Sequence, residues 1–132
     1  MIAIDTNVLV RVLTQDDPDQ AAAASAFMRG LTQAAPGFIC REVMLELVWV
    51  LERAYGFGRV DVTAALEGLL AAVEIEIEAA DDVGTAVFLY RDEGFGFADL
   101  MIAAAARRAG ATSLVTFDRK AARLPGVDLL PV

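Results

Sequence analysis

The chain has 132 residues, a formal net charge of −8, an apolar fraction of 57% and no histidine. The missing histidine excludes Ser-His-Asp and Cys-His catalysis and His-ligated zinc, so any chemistry must come from carboxylates, hydroxyls and arginines. The acidic balance, with a pI near 4.4, argues against broad electrostatic capture of nucleic acid. Carboxylates gathered around metal ions would inflate that negative total, because bound cations reverse the local sign. Any nucleic acid would then be held by local arginines or by a partner protein.

This length fits one domain, residues 1–132, able to bury about two-thirds of its unfolded surface without disulfide staples. A mean hydropathy of +0.51 suits a sheet buried on both faces, an apolar patch covered by a partner, or both. No signal peptide is visible, no apolar run reaches the roughly 18 residues of a membrane span, and Cys40 is the only cysteine. The cytoplasm is the expected compartment.

In chain order, Met1–Ile4 reads as a short buried strand stopping at Asp5, and Val8–Leu13 as the first helix. Asp16-Asp17-Pro18-Asp19 forms a turn and a helical start, continued through Ala21–Leu31. Pro36-Gly37 breaks the chain before a second strand at Phe38-Ile39-Cys40. Glu42–Tyr55 is the clearest long helix, closed by Gly56 and Gly58. Asp61–Val73 is another, with Asp61 as its cap, and the alternation of Ile75 and Ile77 with glutamates predicts a short peripheral strand. Helices at Asp81–Arg91 and Phe97–Arg108 flank Gly94-Phe95-Gly96, and Gly110 stops the second. Ser113–Thr116 is a strand, Asp118–Arg123 a short helix and Val127–Leu130 a last strand. Strands alternating with helices predict an α/β fold with a short, mainly parallel β-sheet flanked by helices.

Four acids stand in apolar company. Asp5 and Asp118 each follow a strand, where ligands bind in open α/β sheets, although helix capping explains an Asp there equally well. Asp99 sits two residues into an apolar helix, where the helix dipole alone would favour it. Glu46 lies between Val43-Met44-Leu45 and Leu47-Val48-Trp49-Val50-Leu51, so most of its helix is expected to be buried, and an ionised carboxylate in such a place is costly unless paired or bound to metal. Two plainer readings are a salt bridge to an arginine and a place at the edge of the apolar stripe, on one face with Glu42 and Arg53. Jointly, acids at such positions can converge at one edge of a small sheet. Crowded carboxylates stay ionised only beside cations, and all-oxygen sites select Mg²⁺ or Mn²⁺.

Ile4-Asp5-Thr6-Asn7-Val8-Leu9, Glu46 ahead of Leu47–Leu51, Phe97-Ala98-Asp99 and Thr116-Phe117-Asp118-Arg119-Lys120 resemble the PIN-domain toxins called VapC, in their order and over essentially the whole chain. The resemblance implies a PIN-like α/β fold and hydrolysis of RNA phosphodiester bonds by metal-activated water. It implies that Asp5, Glu46, Asp99 and Asp118 bind one or two Mg²⁺ or Mn²⁺ ions, and that Asn7 and Thr116, with a contribution from Thr6, orient these acids or their waters through hydrogen bonds. It also implies a homodimer held inactive by an antitoxin, an arginine of which enters the acidic cluster. Gly96 departs from the pattern, since many relatives carry an extra acid near this point. Arg11, Arg41, Arg53, Arg119, Lys120 and Arg123 are candidates for phosphate contact, against a plain reading of most as solubilising surface.

A response-regulator receiver domain fits poorly, because Asp5 stands alone and Phe38-Ile39-Cys40 ends without an acid. The other alternative is a PIN module that binds RNA or a partner without cutting. Trp49 is expected in the core or an interface, Cys40 as a buried small hydrophobe, and Phe95 and Phe97 as core.

Overall fold

The computed structural model describes all residues, Met1–Val132. The chain divides into two compact units, Met1–Ala80 and Asp81–Val132. In the first unit lie β1 (Ile2–Ala3), α1 (Thr6–Thr14), α2 (Pro18–Arg29), β2 (Gly37–Ile39), α3 (Arg41–Arg53), α4 (Arg59–Ala71) and β3 (Ile75–Ile77). Its three strands pair in the order β1-β2-β3, both pairings parallel, with Ile2 opposite Gly37 and Gly37 opposite Ile75. Parallel pairing follows from the helices between the strands, since tight hairpins can join only antiparallel neighbours.

Local chemistry accounts for the ends of these elements. Asp5 is extended and its carboxylate accepts the Thr6 N–H at 2.8 Å, so the residue ending the first strand also caps α1. Asp17 caps α2 through the Gln20 N–H at 3.0 Å, with Pro18 in the first turn. Gly56 at φ +67° closes α3, and the Phe57 N–H reaches back to the Leu51 carbonyl at 2.9 Å, a bond spanning six residues. Gly58 has negative φ and instead stands as the N-cap of α4, which moves Asp61 into the first turn and out of the capping role.

α3 buries Met44, Leu47, Val48 and Leu51, a stripe at helical spacing, while α1 buries Leu9 and Val10. β1 is less enclosed than a strand buried on both faces: Ile2 is 56% exposed, and the buried residue is Ile4, whose N–H bonds Phe38 O at 2.8 Å. Trp49, expected in a core or an interface, is 60% exposed, and Cys40 is half-buried.

In the second unit, α5 (Ala80–Glu93) begins at the boundary and is followed by α6 (Phe97–Arg108), β4 (Leu114–Thr116), a single 3₁₀ turn at Ala121–Arg123 and β5 (Val127–Leu129). β4 and β5 pair in parallel, Leu114 opposite Val127. Tyr90 and Phe97 are buried and meet edge to face, ring centroids 6.3 Å apart. Phe97 is core as expected, whereas Phe95 is half-buried with Lys120 over its ring at 6.0 Å. Gly110 at φ +79° stops α6, behind Arg107 and Arg108. The helix expected at Asp118–Arg123 shrinks to the 3₁₀ turn. No helix is long and apolar enough to cross a membrane.

Candidate active site

In the first unit a cleft of about 310 Å³ opens between α1 and α3, lined among others by Asp5, Thr6, Asn7, Arg11, Glu46 and Tyr55. The α3 side is built from Glu46, Val50 and Ala54, four residues apart and therefore on one helical face. Glu46 is exposed, contrary to its apolar setting in sequence. At 100° per residue it points away from the stripe of Met44, Leu47, Val48 and Leu51, with the equally exposed Glu42 and Arg53 on its side. The edge position open to a helical reading is the one adopted, so the cost of burial gives no argument for Glu46. Its place in the cleft does: the buried Thr6 hydroxyl donates to Glu46 Oε1.

A second groove of about 540 Å³ shares Asp5, Asn7 and Arg11 with the cleft and continues over apolar Ile2, Ile4, Val8, Ala23, Ala24 and Phe27.

The second unit brings together Asp99, Thr116 and Asp118. Asp99 is half-buried at the start of α6, and its carboxyl is pushed above the usual range, first by burial and then by the negative charge of Asp118. Asp118 is exposed and accepts the N–H groups of Lys120 and Ala121 at 2.8 and 2.9 Å, while Thr116 Oγ1 accepts the Asp118 N–H at 3.0 Å. Thr116 therefore holds the backbone from which the Asp118 carboxylate springs. A Cβ at Gly96 would stand 3.0 Å from Asp99 Oδ2, so the missing side chain leaves that oxygen uncrowded.

Each unit thus supplies a pair of carboxylates, and no group of three or more acids is drawn together. A pair suits Mg²⁺ chemically, because this ion keeps several waters and commonly takes one or two carboxylates beside a substrate phosphate. Among the candidate cations, Arg41 stands 3.8 Å from Glu78, and Arg11 is bonded on three sides. The residues that hold Arg11, namely Asp16, Gln20 and Tyr55, carried no signal in the sequence, because the contact between Tyr55 and Asp16 spans 39 positions and no local pattern announces it.

A VapC ribonuclease of Aquifex aeolicus (strain VF5) is 27% identical over 125 residues, covering 94% of this chain and 92% of that protein. The PIN domain family matches residues 2–127, so nearly the whole chain is accounted for, and the protein belongs to the PIN domain family.

Proposed function

We propose that the protein is a divalent-metal-dependent endoribonuclease that hydrolyses RNA phosphodiester bonds, and that it serves as the toxin of a toxin–antitoxin pair. The observation that carries this reading is the cleft in which Asp5 and Glu46, far apart in sequence, meet through Thr6. The match to the PIN family and the likeness to a VapC ribonuclease support it.

In this reading residues 1–132 work as one PIN domain, and Asp5, Glu46, Asp99 and Asp118 are the metal ligands. Mg²⁺ or Mn²⁺, when bound, supplies an activated water and stabilises the leaving oxygen. Thr6 fixes the Glu46 carboxylate, Asn7 lines the same cleft from the first turn of α1, and Thr116 steadies the backbone of Asp118. The raised Asp99 fits a carboxyl whose ionised form a nearby cation would favour, against burial and the charge of Asp118. Homodimerisation, control by an antitoxin whose arginine reaches the acids, and a cytoplasmic setting belong to the same proposal.

A non-catalytic PIN module binding RNA or a partner is the second reading, favoured by the absence of any group of three or more acids. Antitoxin-free protein incubated with total cellular RNA and Mg²⁺, Mn²⁺ or EDTA separates the two, with Asp99→Asn as control for contaminating nuclease. The nuclease reading expects discrete, metal-dependent fragments that the variant does not make. Absence of both cleavage and calorimetric metal binding would leave the binding module.

A further inference from the structure

The cleft of the first unit is lined by two carboxylates, Asp5 and Glu46, and by Arg11 and Tyr55, with Arg11 paired to Asp16 at 3.1 Å. Arg11 follows Asn7 by one helical turn, about 6 Å along α1. Its guanidinium is held by three neighbours from different parts of the unit. Nε donates to Gln20 Oε1 at 2.7 Å, and Nη1 donates to Asp16 Oδ1 at 3.1 Å and to the Tyr55 hydroxyl at 3.2 Å. Tyr55 in turn donates to Asp16 Oδ2 at 2.5 Å, and Asp16 also accepts the Thr14 hydroxyl at 2.9 Å. These bonds use Nε and both hydrogens of Nη1. Nη2 makes none, so two of the five donors stay open on a group whose position is already set.

We propose that Arg11 is a phosphate-binding residue, whose Nη2 takes a non-scissile phosphate oxygen of single-stranded RNA lying in the cleft, and that Tyr55, Asp16 and Gln20 are positioning residues for it. The inference rests on the ribonuclease reading above. An acidic protein that binds a polyanion beside two carboxylates needs a local cation, and a guanidinium pre-ordered on three sides loses little freedom when it binds. The clamp between α1, α2 and the end of α3 leaves Nη2 without a bond, and Arg11 lines the same cleft as Asp5 and Glu46.

Fluorescence anisotropy with fluorescein-labelled oligouridylate, in EDTA and across a KCl series, tests this without cleavage. Wild type should bind, and Arg11→Ala should bind about tenfold more weakly. Its plot of log affinity against log KCl should be shallower by about 0.7, the signature of one lost phosphate contact on a single strand. Arg11→Lys should keep the wild-type slope while losing part of the affinity, and Tyr55→Phe should weaken binding at unchanged slope. A structural role alone would not move the slope, and the lysine variant preserves the test should the alanine variant unfold. Equal affinity and slope in wild type and folded Arg11→Ala would overturn the proposal. So would no binding by wild type, equal behaviour of wild type and Arg11→Lys, or displacement by polyglutamate as effective as by unlabelled RNA, which would mark a site for acidic peptides. Cleavage of total RNA with unchanged Arg11→Ala binding would sink this inference alone, whereas absence of cleavage and of metal binding would sink the ribonuclease reading beneath it.

Discussion

The Thr6 hydroxyl, in the first turn of α1, donates to Glu46 Oε1 in the middle of α3, joining two acidic segments forty residues apart. Thr6 is buried and Glu46 is exposed, so removing the hydroxyl leaves a carboxylate that water can still reach. Thr6→Val, close in shape, should cost about 1 kcal/mol in urea denaturation and lower RNA cleavage, while Thr6→Ser restores both. Unchanged cleavage in a folded Thr6→Val protein would mean that Glu46 needs no such anchor.

Asp99 carries a raised carboxyl, through burial and then through Asp118. A carboxyl higher in the folded than in the unfolded chain favours folding below its unfolded value, and this benefit is lost as pH rises through the folded value. Metal-free wild type at neutral pH therefore holds Asp99 charged at a cost. Asp99→Asn should melt higher than wild type at pH 7 without metal, and the gap should narrow at pH 3. A lower melting temperature for the variant in EDTA would contradict this balance.

Asp16 is displaced the other way, its carboxyl held below the usual range first by the Tyr55 hydroxyl, then by Thr14 and by Arg11. Its contribution to folding is present above the unfolded value, near 3.8, and disappears as pH falls through the lower folded value. Thermal melts of wild type and Asp16→Asn should differ at pH 7 and converge as the pH approaches 2. Parallel curves over the whole range would show that the network gains nothing from the charge.

Thr63 is a buried residue of α4 whose Oγ1 has no hydrogen-bond partner. Replacing an unsatisfied buried hydroxyl by a methyl of the same shape removes a desolvation penalty, so Thr63→Val should stabilise the fold by about 1 kcal/mol. A destabilised variant, measured by urea denaturation, would indicate a water or a partner at that hydroxyl.

Gly37 in β2 has no room for a side chain, since a Cβ would stand 2.6 Å from Ile4 Cδ1 and 2.9 Å from Leu31 Cδ1. Both are ends of flexible side chains, which can shift at some cost. Gly37→Ala should destabilise by about 1 to 2 kcal/mol. Ile4 precedes Asp5, so a crystal structure of the variant should show the start of α1 displaced; an unmoved Asp5 would disprove that linkage.

Much of the architecture was legible in order. Pro18 behind Asp17, Gly56 behind Tyr55 and Gly110 behind two arginines are local stop and start signals, and they fall where α2 begins and where α3 and α6 end. The alternation at Ile75 and Ile77 marked β3, and the helices between strands marked the parallel pairing. Such signals act through neighbours a few residues away, so the sequence by itself determines them. Glu46 is the counter-example. Its apolar neighbours in sequence suggest burial, but on the helix Glu46 shares a polar sector with Glu42 and Arg53, and packing decided that this sector and Trp49 stay exposed while Met44, Leu47, Val48 and Leu51 face inward. The same holds for the Arg11–Asp16–Tyr55 network. Tertiary structure decided these because each depends on which surfaces the chain brings into contact over tens of residues, and periodicity carries no information on that choice.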